Sequence, residues 1–505
     1  MDIVKAVQNY INKMINDVAG MKVLLLDSET TPIISNVMTQ SSLLSHETYL
    51  VDRIDNRNRD KMRHLKCVCF LRPTSETIQL LVEELRDPLD EHEVVREVQE
   101  YFADYCAINP DFYSLNLSLP QNQLFGNSLS TWDGKTLQRV VEGVLGVLLS
   151  LKKKPLIRYE NKSAMAKQLA MKIHYQIQQE GQLFDFRRTD TPPILLILDR
   201  RNDPVTPLLS QWTYQAMVHE LLGINNGRVD LSYIPDIRPD LKEIVLSHDQ
   251  DPFYKKNMYL NLGDLGVNIK TYVEEYKSKT KSSKNIESIA DMKQFIEEYP
   301  EFRKLSGNVS KHVTLVGELS RLVEKESLLE VSELEQNLAC SEQHANGLKS
   351  LQSLITNPKV SDDSKIRLAI LYSLRYEKSS NEITSIIDLL HRNGVSEQKI
   401  SVRSMIQFAG ADKRQDDLFS NESFLAKSKN KIMGLKGVEN VYTRHSPHLT
   451  QTLDLLTKGK LKDTNIIVFM VGGVTYEEAK SIFQINSSNA GVRIVLGGTT
   501  VYNSK

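Results

Sequence analysis

The stretch "LLILDRRNDPVTPLLSQWTYQAMVHELLGI", Leu195 to Ile224, runs an apolar segment into Asp199, adds a second acid at Asp203, turns through Thr206-Pro207 and continues as an amphipathic segment. A short apolar run without polar alternation, stopped by a charged turn, reads as a strand covered on both faces, which is what a parallel sheet between helices requires. The same grammar recurs in "MKVLLLD", "HLKCVCFLRP", "NIIVFMVGG" and "GVRIVLGG". Ahead of the first of these, Ile3, Val4, Val7, Tyr10, Ile11, Met14, Ile15 and Val18 fall at helical spacing. Parallel α/β layers are therefore expected near both ends of the chain.

The middle has a different character. From Ile286 to Asn337 the chain is rich in Glu, Lys, Leu and Ser, with Val309, Val313, Val316, Leu319 and Val323 recurring near every 3.5 residues, so long helices are expected. "KIRLAILYSLRYE" and "ITSIIDLLHR" add two amphipathic helices between Asp362 and Asn393. "TSETIQLLVEELRD" and "DEHEVVREVQEYFADY" read as two further helices with almost nothing between them. Glu275–Ser288 and Ala409–Ser423 are charged and poor in apolar residues, and are expected to be mobile.

At 505 residues the chain exceeds what one hydrophobic core sustains, so two to four domains are expected. Its 63 basic residues nearly cancel its 64 acidic ones, and no global field recruits nucleic acid or anionic lipid. The longest apolar runs, such as Ile466–Val474, reach about half of the ~20 residues a membrane span needs. The N-terminus mixes acids and amides where a secretory signal needs a basic start and an apolar core, and a cytosolic location is expected. Cys67, Cys69, Cys106 and Cys340 are too few and scattered for a disulfide framework or a zinc site, and Cys67 and Cys69 read as small buried hydrophobes on one strand face.

Three places invite an enzymatic reading. Asp27 ends a buried strand and is followed by "SETT", near the Asp-x-Asp-x-Thr pattern of aspartyl phosphotransferases, but position 29 is Glu and no downstream Lys and acid complete the site. Asp199 and Asp203 could share a strand-end turn, yet Arg200 and Arg201 beside them and the stiffening Pro204 and Pro207 favour a structural corner. "VGGVTYEEA" could offer backbone N–H groups at Gly472 and Gly473, but it lacks a third glycine and a Lys-Thr pair, and a tight turn between strand and helix is expected. His219-Glu220 has no second histidine for zinc, and no Gly-x-Ser-x-Gly elbow occurs. A phosphoryl-transfer enzyme using Asp27 or Asp199/Asp203 stands as the alternative to a binding function; no cofactor and no metal are called for.

The opening stretch, together with "MKVLLLDSETTPIIS", "FLRPT", "KHVTLVGELSRLVEKESLLEVSELEQNLAC", "GLKGVENVYTRH", "VGGVTYEEA" and "GVRIVLGGTT", resembles the SM (Sec/Munc) family of syntaxin-binding proteins over nearly the whole chain, in its endosomal and trans-Golgi branch. Two departures stand out: members carry a further apolar strand and loop where this chain passes from "EELRDP" to "LDEHEVV" around Pro88, and a short polar loop is absent near Asp463.

The resemblance implies an α/β protein built as a three-domain arch, with parallel α/β layers and a largely helical third domain around a central cleft. Residues 1–116 would form domain 1, residues 117–211 and 431–505 a discontinuous domain 2, and residues 212–430 domain 3. It implies a non-enzymatic regulator that binds a Qa-SNARE, a trans-Golgi or endosomal syntaxin of the syntaxin-sixteen type, and templates assembly with the cognate SNAREs. The protein would be a monomer that binds no nucleic acid and meets Golgi and endosomal membranes only peripherally, through its partners.

By the same resemblance, a SNARE-templating hairpin spans about 286–326 with Pro300 as its hinge, since proline breaks a helix at about 3 kcal/mol. Phe112 and Leu115 would line a pocket for the syntaxin N-terminal peptide, Asp52 would stand on the cleft wall, and Asp199, Thr206 and Glu220 would serve a structural joint between the second and third domains.

Overall fold

A computed structural model describes the chain apart from residues 60–61, 63, 87–94, 118–122, 188–189, 284–288, 342, 397–400, 420–441, 459–463, 489–490 and 504–505. Two compact units emerge. The first comprises Met1–Arg200 with Asp454–Val474 and Ser481–Val501; the second comprises Arg201–Leu453 with Thr475–Lys480 and Tyr502–Lys505.

The chain begins α1 (Ile3–Asn16), β1 (Lys22–Leu26), α2 (Thr30–Val37), α3 (Gln40–Ser45), β2 (Thr48–Arg53), β3 (Lys66–Phe70) and α4 (Ser75–Arg86). It continues β4 (Cys106–Asn109), β5 (Phe112–Ser114), α5 (Gly134–Ser150), β6 (Leu156–Tyr159), α6 (Ala164–Gln179) and β7 (Ile194–Asp199). In the second unit follow α7 (Tyr214–Met217), β8 (Arg228–Asp230), β9 (Glu243–Val245), α8 (Pro252–Asn257), α9 (Leu262–Ser283), α10 (Ile289–Lys325), α11 (Leu328–Cys340), α12 (His344–Thr356), α13 (Asp362–Arg375), α14 (Ser380–Arg392) and α15 (Val402–Ala409). Last come α16 (His448–Lys458), β10 (Thr464–Val471), α17 (Tyr476–Ser488) and β11 (Val492–Gly498).

The first unit holds two sheets. One is parallel, in order β2-β1-β3; the other has six strands in order β4-β5-β11-β10-β7-β6, parallel except for β4 against β5. The expected strands β1, β7, β10 and β11 are nearly all buried, as strands covered on both faces must be. Their neighbours meet at close quarters: a Cβ on Gly143 of α5 would lie 2.6 Å from Leu115 Cδ2, and one on Gly497 of β11 only 2.1 Å from the Tyr113 ring. The second unit packs α11–α15 around one apolar cluster and α7, α8 and the body-side parts of α9 and α10 around another.

Four local expectations are corrected. The segment read as the helix "DEHEVVREVQEYFADY" is neither helix nor strand over its described residues 95–104: Val95 and Val98 are exposed, while Tyr101, Phe102 and Ala103 pack on the core of the first unit in extended chain leading into β4. The segment Glu275–Ser288, expected to be mobile, carries the end of α9 as far as Ser283, where Tyr276 Oη lies 3.3 Å from Ser306 Oγ of α10; residues 284–288 lie outside the described residues. Within Ala409–Ser423, Arg414 is buried and donates to Ala409 O at 3.0 Å, and Gln415 N donates to Asn202 Oδ1 at 2.9 Å, so its described part is pinned in place. Cys67 and Cys69 do share a face of β3, with sulfurs 3.7 Å apart, but Cys69 is exposed because β3 is a sheet edge.

Candidate functional site

The opening stretch divides between the units. Asp199, at the end of β7, takes the Ser163 hydroxyl at 2.6 Å while its own N–H donates to Glu160 Oε2 at 2.6 Å; Ser163 also caps α6. Asp203 closes the next turn: it accepts Thr206 N–H at 3.0 Å, the Thr206 hydroxyl at 2.6 Å and His448 N–H at 3.0 Å. Thr206 Oγ1 also lies 3.0 Å from His445 Nε2. These carboxylates accept main-chain and hydroxyl donors.

Helix α11 supplies a buried polar face opposite this stretch. Glu335, fully buried, accepts Ser210 N–H at 2.7 Å and its hydroxyl at 3.2 Å; Ser332 accepts the Trp212 indole N–H at 2.8 Å; Gln336 accepts the N–H groups of Arg444 and His445. Burial raises the Glu335 carboxyl, and Arg367 and Ser210 offset that. Arg367 lies 4.0 Å from Glu335 and donates to Glu220 Oε1 at 3.1 Å, so Glu220 completes a Glu–Arg–Glu chain beside a cavity of about 140 Å³.

The long pair α9 and α10 is rooted by a second buried chain. Tyr214 Oη lies 2.8 Å from His312 Nδ1, and His312 Nε2 lies 2.8 Å from Asp251 Oδ2; Lys311 pairs with the same carboxylate and reaches Val245 O at 3.3 Å. Asp251 also caps α8 by accepting Tyr254 N–H at 2.9 Å. Burial pushes the His312 imidazole below its ordinary value, with partial compensation by Asp251. For Asp251 burial acts upward, but the hydrogen bond and charge of His312 and the Lys311 ammonium outweigh it and hold the carboxyl well below its usual range. The sequence reading missed this cluster. Its only signal was a histidine and a lysine on the apolar stripe of α10, which spacing alone cannot tell from solvated charge.

In the first unit Asp27 is saturated: Oδ1 accepts the N–H groups of Glu29 and Thr30 at 2.8 and 2.7 Å, and Oδ2 accepts Arg72 N–H at 2.6 Å. It shapes the start of α2 and is no free nucleophile. Asp52 is half-buried on β2 and binds the Asn56 amide at 3.0 and 3.1 Å. Phe112 and Leu115, expected to line a peptide pocket, are enclosed at 0% and 2% exposure, Leu115 packing against α5. Nor does α10 break at Pro300: it is one helix from Ile289 to Lys325, packed beside α9.

The first unit is built on parallel sheets, the second is largely helical, and the acids of the opening turn accept hydrogen bonds from neighbouring main-chain and hydroxyl groups. The Sec1 family model matches residues 22–466 and 460–505, and the chain belongs to that family. It is 50% identical to vacuolar protein sorting-associated protein 45 of Homo sapiens, over all of this chain and 95% of the relative, and 45% identical to that of Schizosaccharomyces pombe, over all of this chain and 97% of the relative. The human alignment spans 548 positions for a chain of 505 residues, so part of the relative faces gaps here. A solved structure, SM protein Vps45 in complex with Qa SNARE Tlg2 (1-310), matches with a TM-score of 0.92 at 55% identity, covering all of this chain and 96% of that one.

Proposed function

We propose that this chain is an SM-type regulator that binds a Qa-SNARE of the syntaxin class and templates SNARE assembly in traffic between the trans-Golgi, endosomes and the vacuole or lysosome. The observation that carries this is the full-length match to a solved SM protein bound to its Qa-SNARE. A SNARE bundle is slow to nucleate because several disordered chains must order together, and a folded surface that holds two of them in register supplies that order in advance. The α9–α10 pair suits this role: two long helices whose base is fixed by Asp251, His312 and Tyr214. No bond is made or broken on the protein, and it acts peripherally at membranes. Within this reading residues 1–116 remain the syntaxin-binding domain, while Phe112 and Leu115 act as its core rather than as a peptide pocket.

The test is reconstitution. Purified protein should capture a trans-Golgi Qa-SNARE and accelerate its assembly with cognate SNAREs; failure on both counts overturns the proposal. Glu220→Lys should lower the amount of folded protein by breaking the chain to Arg367, while the molecules that do fold keep their affinity. Normal yield with lost Qa-SNARE capture would place Glu220 at the interface instead.

A further inference from the structure

The net charge of −1 conceals a strong local asymmetry in the first unit. Between the end of α5 and the middle of α6, Lys152, Lys154, Arg158 and Lys162 are exposed on the loops and edge around β6. Lys167 and Lys172 are exposed on α6 itself. None of the six makes an ion pair among the described residues, and the one acid in this stretch, Glu160, is engaged by the Asp199 N–H.

Lys167 and Lys172 lie on α6, and Lys152, Lys154 and Lys162 on the loops at the two ends of β6; Arg158 points to the other face of the sheet, because its neighbour Ile157 joins the cluster that α6 covers. Among the described residues β6 is an edge strand paired with β7, and α6 covers one face of it through Met165, Ala166, Leu169, Ala170, Ile173 and Ile177. The opposite face of α6 is therefore turned outward, and at helical spacing it carries Lys167, Met171, Lys172 and Tyr175. Because α6 links two parallel neighbours it runs back along β6, which returns Tyr175 toward the lysines that precede the strand and sets Lys167 beside its far end.

Large apolar side chains are interleaved with the charges: Met171 and Tyr175 are 62% and 57% exposed. A dry protein interior does not explain them, and a surface meant only for water has no use for them.

We infer that the outer face of α6, with the loops that flank β6, docks directly on an anionic membrane surface, with the lysines over phospholipid headgroups and Met171 and Tyr175 entering the interface. A basic helix face with aliphatic and aromatic side chains among its lysines fits a headgroup layer, where charge attracts and apolar groups gain by leaving water. An acidic protein segment would satisfy the charge but leave the apolar residues unexplained. Partner-independent membrane contact would place the protein beside membrane-anchored SNAREs before it captures one. The inference does not depend on the templating reading.

The test is flotation of the full chain, without SNAREs, on phosphatidylcholine vesicles with and without phosphatidylserine. Wild type should float only with the anionic lipid, and less as salt rises. The triple variant Lys154→Glu, Lys167→Glu, Lys172→Glu should lose about a hundredfold in partitioning. Met171→Ser with Tyr175→Ser should weaken binding while leaving its salt dependence in place. Unchanged melting temperature and Qa-SNARE capture would show these variants folded. The inference is overturned if wild type ignores phosphatidylserine vesicles, if the triple variant floats like wild type, if inorganic phosphate raises the melting temperature through these lysines, or if polyglutamate competes while vesicles do not bind.

Discussion

At the residue scale, buried charge rather than catalysis explains the acids of the second unit. Glu335 is enclosed and Arg367 nearly so, and removing one member of a buried pair leaves an uncompensated charge that costs about 3–5 kcal/mol. Arg367→Leu should therefore destabilise strongly in urea melts, and Glu335→Gln in the same chain should recover part of the loss because it removes the orphaned carboxylate. A double variant no more stable than Arg367→Leu would show that the two do not interact.

His312 makes a pH prediction. Its folded-state affinity for protons lies below the ordinary value of 6.5, so the unfolded chain takes up the proton first, and stability present above that pH is lost as pH falls through it. His219, half-buried against Tyr476, shifts in the same direction. The melting temperature should decline between about pH 7 and pH 5, and His312→Gln should flatten that decline; an unchanged slope would assign it to other groups.

At the scale of elements, the apolar runs announced β1, β7, β10 and β11 because a strand covered on both faces leaves an uninterrupted signature in sequence. Helices were less legible where propensity and packing disagreed. Residues 95–104 have a helical pattern and no helix, whereas α10 is a helix through Pro300. A proline inside a helix removes one hydrogen bond and crowds the preceding turn, at about 3 kcal/mol. Pro300→Ala should slow amide exchange across the distal part of α10; exchange as fast as in wild type would mean that this turn does not limit opening. In the large sheet, Gly497→Ala should lower the melting temperature by overpacking against Tyr113, at about 1–3 kcal/mol, with partial recovery in Tyr113→Leu. Full stability of Gly497→Ala alone would show that β5 and β11 can part to admit the methyl group.

At the scale of the whole molecule, composition was a poor guide to charge. Acids and bases balance over 505 residues, yet Lys152, Lys154, Lys162, Lys167 and Lys172, which make no ion pair among the described residues, gather on α6 and the loops beside it, because neutrality of a sum says nothing about where its terms sit. Function is likewise a property of the whole chain: no catalytic set was found in the sequence, and the acids that looked best, Asp27, Asp199 and Asp203, prove to be held by hydrogen bonds from their own turns and neighbouring helices. Magnesium or nucleotide should leave the melting temperature unchanged; a rise that saturates with concentration would reveal a site of the phosphoryl-transfer kind.

What the sequence determined by itself was the succession of buried strands, the helical middle and the family, because apolar periodicity and ordered motifs are properties of the chain read in a line. Only the tertiary structure decided that Phe112 and Leu115 are core, that Glu335 and His312 are paired in the interior, and that Met171 and Tyr175 face water among lysines. The reason is physical: burial and pairing depend on residues brought together from distant parts of the chain, such as Arg367 with Glu220 or Asp251 with His312, and spacing along the chain carries no record of those meetings.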